Sequence, residues 1–406
     1  MSPHSPISRR SFLKSGAALA GAGAVSKAAG ALPAELTAAT SAAFEGVHQR
    51  GVLDETSPAA AFVALDVTTS SRRELVDLLQ TITTEARNLT SNGPPPITGP
   101  GVPPADNGIL GAGPRIPVDG LTLTLGVGAS LFDDRFGLAS RIPHGLTPMK
   151  SFPNDHLDPA ESQGDLSLQL RANHMDAVLH ALRQIARATE GAMQVRWRID
   201  GFHSPPRQTG ASRILFGFKD GIANPDVTSA QQMDQLVWVR GSGESSWATG
   251  GSFQVIRIIR MLVEFWDRVS LQEQEEIIGR RKASGAPLSG NSENSPISYA
   301  DDPFGYVIPL TAHIRLANPR TPATEASRIL RRAYNYDRGV DSNGNLDMGL
   351  VFTAYQQDLQ RQFETVQRRL INEPMVDYVI PTGGGYFFVL PGVNGADDYL
   401  GRGMFT

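Results

Sequence analysis

Residues 61–89 read AFVALDVTTSSRRELVDLLQTITTEARNL, and this stretch decides the fold. Its apolar run at 61–67 is typical of a buried strand. Ser71 is followed three residues later by Glu74, a capping-box pattern that opens a helix, and apolar residues at helical spacing continue to about Leu89. We therefore expect a strand followed directly by a helix, as in an α+β domain.

Strands and helices continue to alternate through the N-terminal half. Beyond a loop rich in Pro and Gly, the pattern predicts strands at 121–127 and 166–170, a helix at 175–189 and a strand at 193–199. The order β-α-β-β-α-β is the ferredoxin-like arrangement, which has an antiparallel sheet. The Pro- and Gly-rich stretch 201–225 is the expected connection to a second half.

The C-terminal half repeats this order of elements. Strands are predicted at 252–261, 310–316, 349–355 and 386–390, and helices begin after Ser270, after Pro322 and at Asp358. We predict an α+β fold of two ferredoxin-like halves with antiparallel sheets. The expected domains are 45–205 and 206–406, preceded by a separate N-terminal region, 1–31.

That N-terminal region has the layout of a twin-arginine export signal. The run SRRSFLK at 8–14 contains Arg9 and Arg10, and a short apolar stretch follows at 15–25. A membrane-spanning helix needs about 20 predominantly apolar residues, so this stretch is too short for stable membrane insertion. We expect export by the twin-arginine route to the periplasm or the cell exterior.

The composition excludes several kinds of partner and cofactor site. The 406-residue chain contains no Cys, which rules out disulfides, Fe–S clusters and haem held by a thiolate. Its net charge of -4 gives no reason to expect a nucleic acid partner. Any iron site must therefore use His, Met, Tyr or carboxylate ligands.

Three segments carry residues suited to such a site. Asp220 lies in the glycine-flanked turn GFKDG at 217–221, where the backbone can approach a planar group closely. His313 opens HIRLANPR at 313–320, although a His on a strand is more often a packed imidazole than a ligand. Arg331 is predicted near the end of a helix, where arginines are usually solvated.

Together, these segments resemble the dye-decolourising peroxidases. The resemblance runs from about 46 to 405 and is strongest to the twin-arginine-exported members found with bacterial ferrous-iron uptake systems, also described as deferrochelatases. It is carried by LTLG at 123–126, FDDRFGL at 132–138, GFKDG, HIRLANPR, the arginines at 331–332, and GGGYF at 383–387. It implies membership of the dimeric α+β barrel-like superfamily, with the cofactor in the C-terminal half.

The resemblance implies one haem b per chain. It assigns His313 as the proximal iron ligand, and Asp220 and Arg331 as the distal catalytic residues. The residues it places against the porphyrin or its propionates are Gly221, Ile222, Ala223, Asn318, Pro319, Arg320 and Arg331. A haem-ligating imidazole usually has a partner for its other nitrogen; Asp377 is our first candidate and Glu373 our second. The chain departs from many family members at Ile222, where they have Thr.

The implied function is a peroxidase that uses hydrogen peroxide to oxidise dye-like or phenolic donors and serves iron acquisition. A distal carboxylate can move the peroxide proton, and a guanidinium can stabilise the leaving oxygen. Two alternatives stay open: release of iron from haem with the porphyrin intact, and a non-catalytic haem- or iron-binding component of an uptake system. Besides peroxide and the donor, we expect iron-uptake components and further copies of the chain as partners.

Overall fold

The computed structural model describes residues 44–91, 101, 107–111, 118–207, 209–241 and 243–406. The predicted signal region, 1–31, lies outside the described residues. The described residues form one compact unit. The predicted domain division at 205/206 stays a prediction.

The N-terminal half follows the predicted order. Its first helix begins at the predicted capping box, where the Glu74 backbone N–H donates to Ser71 Oγ (3.3 Å) and the Ser71 backbone N–H donates to Glu74 Oε2 (3.1 Å). The elements are β1 (Ala59–Val67), α1 (Arg72–Ser91), β2 (Thr122–Gly128), β3 (Leu166–Ala172), α2 (Met175–Ala188) and β4 (Met193–Phe202).

The C-terminal half has the same number of long strands but shorter helices. Its helices are α3 (Ala230–Leu236), α4 (Val263–Trp266), α5 (Leu271–Ile278), α6 (His313–Ala317) and α7 (Thr365–Leu370). Its strands are β5 (Ser252–Met261), β6 (Leu330–Arg331), β7 (Tyr334–Val340), β8 (Leu346–Gln356) and β9 (Val379–Val389).

Two predictions for this half are wrong. The expected strand at 310–316 is the short helix α6, because a run of seven residues is too brief for its periodicity to separate helix from strand. The expected helix after Pro322 is a single 3₁₀ turn, Glu325–Ser327, followed by β6 and β7. Arg331 therefore lies on a strand and not at a helix end.

The strands form one antiparallel sheet that closes into a barrel. The N-terminal half has the strand order β2-β3-β1-β4 and the C-terminal half the order β7-β8-β5-β9, so both halves have the ferredoxin-like order 2-3-1-4. The pairs β2–β9 and β4–β7 join the two halves. The repeat inferred from element order is thus present in the sheet.

The barrel wall separates two environments. One end of the interior is apolar and contains Phe62, Ile256, Ile258, Val351 and Phe387. Because side chains alternate along a strand, Arg257 and Ile259 on β5 point to the outer face instead. That outer face, together with helices α6 and α7, borders the cavity described in the next section.

Candidate active site

A deep cavity lies on the outer face of β5 and β8. Leu350 and Phe352 on β8 line it, next to Ile259 and Met261 on β5. Much of the remaining wall comes from the loop at 218–223, helices α6 and α7, and the segment 373–381.

His313 is the first residue of α6 and the one histidine among the described lining residues. Its Nδ1 donates to Glu373 Oε2 over 2.7 Å, and the Glu373 side chain is buried. Asp377, our first candidate for this partner, is exposed, and that prediction is wrong. Glu373 immediately precedes the turn Pro374–Asp377 and lines the cavity, whereas Asp377, at the other end of that turn, is exposed to solvent.

The environment of His313 suits a metal ligand. Burial lowers the pKa of His313, but the charge and hydrogen bond of Glu373 raise it by more, so the pKa lies above its ordinary value. A quarter of the His313 side chain is exposed, and this part borders the cavity. A carboxylate that fixes one imidazole nitrogen orients the other for a metal and makes it a stronger donor. The residues present therefore fit a haem iron at Nε2.

Asp220 and Arg331 meet in the same cavity. Arg331 Nη1 lies 3.0 Å from Asp220 Oδ1, and each side chain is about one quarter exposed. Asp220 occupies a tight turn in which Gly217 and Gly221 have φ of +82° and +84°, a backbone conformation that favours glycine. The turn thus presents a carboxylate to the guanidinium on the neighbouring strand.

Asn224 positions Arg331 and was not recognised from sequence as a functional residue. Its Oδ1 accepts from the Arg331 backbone N–H, and its Nδ2 donates to the Arg331 carbonyl, both over 3.0 Å. On the other side, Arg331 is paired with Ala354 of β8. The one available signal was that Asn224 closely follows the Asp220 turn.

Most of the other predicted contact residues border the cavity. Gly221, Ile222, Ala223, Asn318 and Arg320 line it, whereas Pro319 does not. The lining therefore includes a turn at 221–223 and a loop at 318–320, which are far apart in the sequence.

The cavity also contains a cation that the sequence did not reveal. Arg280 lines it and donates through Nη1 to the carbonyls of Gly285 (2.7 Å) and Glu293 (3.0 Å). Burial lowers the pKa of Arg280, and the nearby charges of Arg320 and Arg331 lower it further. In the sequence, Arg280 follows a charged helix and looks like an ordinary solvated helix end. These cations give one part of the cavity a strong preference for anionic groups.

Comparison with known proteins agrees with this geometry. Residues 211–394 match the family model of the C-terminal part of Dyp-type peroxidases, and residues 49–203 match that of the N-terminal part. The chain belongs to the Dyp-type peroxidase family. Residues 6–26 of this Dyp-type peroxidase also match the twin-arginine translocation signal.

Curated relatives and solved structures cover nearly all of the chain. The deferrochelatase of Escherichia coli O6:K15:H31 is 49% identical over 367 residues, which cover 89% of this chain and 86% of the relative. The deferrochelatase of Shigella flexneri serotype 5b is 47% identical over 408 residues, which cover 98% of this chain and 96% of the relative. Ferric DtpA from Streptomyces lividans superposes with a TM-score of 0.79 at 33% identity, covering 89% and 96%. A DyP-type peroxidase from Streptomyces coelicolor superposes with a TM-score of 0.80 at 34% sequence identity, again covering 89% of this chain and 96% of the other.

These matches confirm the predicted fold class, enzyme class and cofactor. This Dyp-type peroxidase is a haem-dependent oxidoreductase, and its cofactor is haem b. The predicted twin-arginine export, to the periplasm or the cell exterior, is confirmed as well. Among the described residues, no helix is both long and apolar enough to cross a membrane.

Proposed function

We propose that this Dyp-type peroxidase reduces hydrogen peroxide at a haem whose iron is held by His313, with Asp220 and Arg331 on the face where peroxide binds. The observation that carries the proposal is the 3.0 Å contact between Asp220 and Arg331 in the cavity that also contains the His313–Glu373 pair. Haem held in this cavity would supply the redox centre for the two-electron reduction of peroxide and the one-electron oxidation of donors.

Asp220 and Arg331 have different roles in the reaction with peroxide. The Asp220 carboxylate accepts the proton from one peroxide oxygen and returns it to the departing oxygen, which leaves as water. The Arg331 guanidinium stabilises the negative charge that develops as the O–O bond breaks. Ile259, Leu350 and Phe352 keep this part of the cavity apolar, which strengthens both electrostatic effects.

In this proposal Arg280 and Arg320, which line the cavity, would hold the haem propionates, and Arg320 is the residue that the family resemblance also assigned. Gly221, Ile222, Ala223 and Asn318, which line the same cavity, would contact the porphyrin. All residues with a proposed role lie within 206–406, so we propose that the C-terminal domain holds the haem while the N-terminal domain, 45–205, completes the barrel.

Release of iron from haem with the porphyrin intact is the second candidate function. It is favoured by the name deferrochelatase, which relatives 47–49% identical to this chain carry. The same cavity would then hold haem as substrate. Use of the peroxidase in iron acquisition, contact with iron-uptake components and self-association stay predictions.

One incubation series separates these functions. The purified chain is loaded with haem and given hydrogen peroxide and a phenolic donor, while free protoporphyrin is assayed in parallel. We expect a Soret band, donor oxidation that depends on peroxide, and a much lower rate in Asp220→Asn, which preserves the size of the side chain. Release of protoporphyrin would favour the second candidate. Haem binding with neither product would contradict both and indicate a non-catalytic haem-binding component.

Glu373→Gln is expected to keep haem but to raise its reduction potential and slow the reaction with peroxide. The amide still accepts a hydrogen bond from His313 Nδ1, but it lacks the charge that enriches the imidazole in electrons. Loss of such a partner typically costs about 10–100-fold in activity or metal affinity. Spectroelectrochemistry and rapid mixing measure the two effects. Asp377→Asn is the matched control, since Asp377 is exposed; equal behaviour of the two variants would argue against the role of Glu373.

A further inference from the structure

Two arginines lie at one end of the barrel interior, on the other side of the wall from the haem cavity. Arg171 on β3 is fully buried. Arg332 directly follows Arg331, and consecutive strand residues point to opposite faces of a sheet, so Arg332 points inward while Arg331 borders the cavity. The Arg332 backbone N–H donates to the Thr353 carbonyl (2.7 Å), which continues the pairing of β6 with β8.

Small residues in the barrel wall let these side chains approach one another. Arg171 is paired with Ala60, and Ala60 is paired with Gly201. A Cβ on Gly201 would lie only 2.6 Å from Tyr334 Cβ. Ala60 and Gly201 lie between Arg171 and Tyr334 and have almost no side chain. The Arg171 side chain can therefore approach the Tyr334 ring. Burial lowers the pKa of Arg332, and the nearby charge of Arg171 lowers it further.

Hydrogen-bond donors in this region lack acceptors. Within the described residues, neither Arg171 nor Arg332 forms an ion pair with a carboxylate. Arg332 Nη2 donates to the Leu53 carbonyl (2.8 Å), and Arg171 Nε has one long contact with Thr122 Oγ1 (3.5 Å). Six of the buried polar atoms without a hydrogen-bond partner among the described residues belong to this region: Arg171 Nη1 and Nη2, Arg332 Nε, Gln169 Nε2, Tyr334 OH and Thr353 Oγ1.

Such a set requires a negative partner. A buried guanidinium without a counter-charge is costly, and buried donors are almost always satisfied. All six atoms can donate a hydrogen bond, and the hydroxyls of Tyr334 and Thr353 can also accept one, but neither hydroxyl carries the negative charge that would balance a guanidinium. The neighbouring Gln169 Oε1 already accepts from Tyr355 (2.8 Å) and from Gln254 (3.0 Å), so it is committed elsewhere.

We propose that a small inorganic anion, of the size of chloride, binds between Arg171 and Arg332 inside the barrel. The size follows from the segment that closes this end. Thr124 Oγ1 donates to the Arg50 carbonyl (2.7 Å), and a Cβ on Gly51 would lie 2.1 Å from Thr124 Oγ1 and 3.5 Å from Arg171 Nη2. This tight packing around Arg171 favours a single small ion over an organic ligand.

The anion would neutralise the charge next to the strand that carries Arg331. The hydroxyl groups of Tyr334 and Thr353 are further donors at its edge. This site is separate from the proposed reaction with peroxide, and either proposal can fail while the other holds.

Diffraction from crystals of the full haem-loaded protein, grown in sodium chloride, tests the proposal directly. Long-wavelength data should show an anomalous peak between the Arg171 and Arg332 guanidinium groups at the height expected for chloride. Density at this position without anomalous signal would identify ordered water and overturn the proposal. This measurement needs no variant and no exchange of the buried ion.

Thermal unfolding gives a second, independent test. We compare the holoenzyme in sodium chloride with sodium gluconate at equal ionic strength, because gluconate is too large for the site. A specifically bound ion should raise the Tm by about 2–4 °C in chloride. Arg171→Met should abolish the difference. Arg198→Met, which removes an arginine paired with Asp200 on the surface, should keep it. An equal chloride effect in the Arg171 variant and the wild type would contradict the proposal.

Discussion

His313→Ala is expected to yield a folded protein that has lost most of its haem, or that holds haem without peroxidase activity. His313 is the one histidine among the described residues lining the cavity, and the chain has no Cys to replace it. The loss should extend to donor oxidation, which we expect to fall to the level of free haem. Absorption spectra of the Soret and ligand-field bands, together with a donor assay, measure both effects.

The control for this variant is His174→Ala. His174 is exposed and pairs with Asp119 at the start of α2, so its loss should leave the haem spectrum unchanged. Full haem occupancy with unchanged ligand-field bands in His313→Ala would show that another residue is the axial ligand.

Arg331→Leu is expected to slow the reaction with hydrogen peroxide at least as much as Asp220→Ala, while both variants keep haem. Loss of one preorganised donor in a dry site costs about 2.7–4 kcal/mol. Water entering the space left by Asp220 can carry part of its proton transfer, so that loss should lie near the lower end of the ~10²–10⁴-fold range for acid–base catalysis. Stopped-flow spectroscopy of the reaction with peroxide measures both rates.

The backbone around Arg331 is held independently of its side chain. Asn224 and Ala354 hold the backbone of Arg331, so the substitution removes the guanidinium without releasing the strand. Arg198→Leu, at the barrel surface, serves as the control for loss of an arginine. A near-wild-type rate in Arg331→Leu would mean that this arginine is not the essential distal group.

The sequence predicted the N-terminal half of the fold better than the C-terminal half. Helices α1 and α2 are long enough for their apolar spacing to be unambiguous, and a capping box defines the start of α1. Helix α6 has five residues and begins without a side-chain cap, so only tertiary contacts determine it. One such contact is the hydrogen bond from Arg315 Nη1 to the Ile308 carbonyl (2.9 Å).

The site residues show the same division. The motifs around Asp220 and His313 carry local signals, and the structure brings both residues to one cavity. The choice between Glu373 and Asp377 depended on which end of a single turn faces inward, and sequence spacing does not encode that orientation. Arg280 was missed because its burial comes from a distant loop, and its sequence context is that of a solvated helix end.

Closure of the barrel by β9 has a consequence for the timing of export. This strand pairs with β2 from the other half and with β5. Until it is synthesised, β2 and β5 have open edges that invite pairing with other chains. The twin-arginine route carries proteins that have already folded, so a chain that ends early cannot present a closed barrel to it. Pairing of β9 with both β2 and β5 is therefore a requirement for a closed barrel at the moment of export.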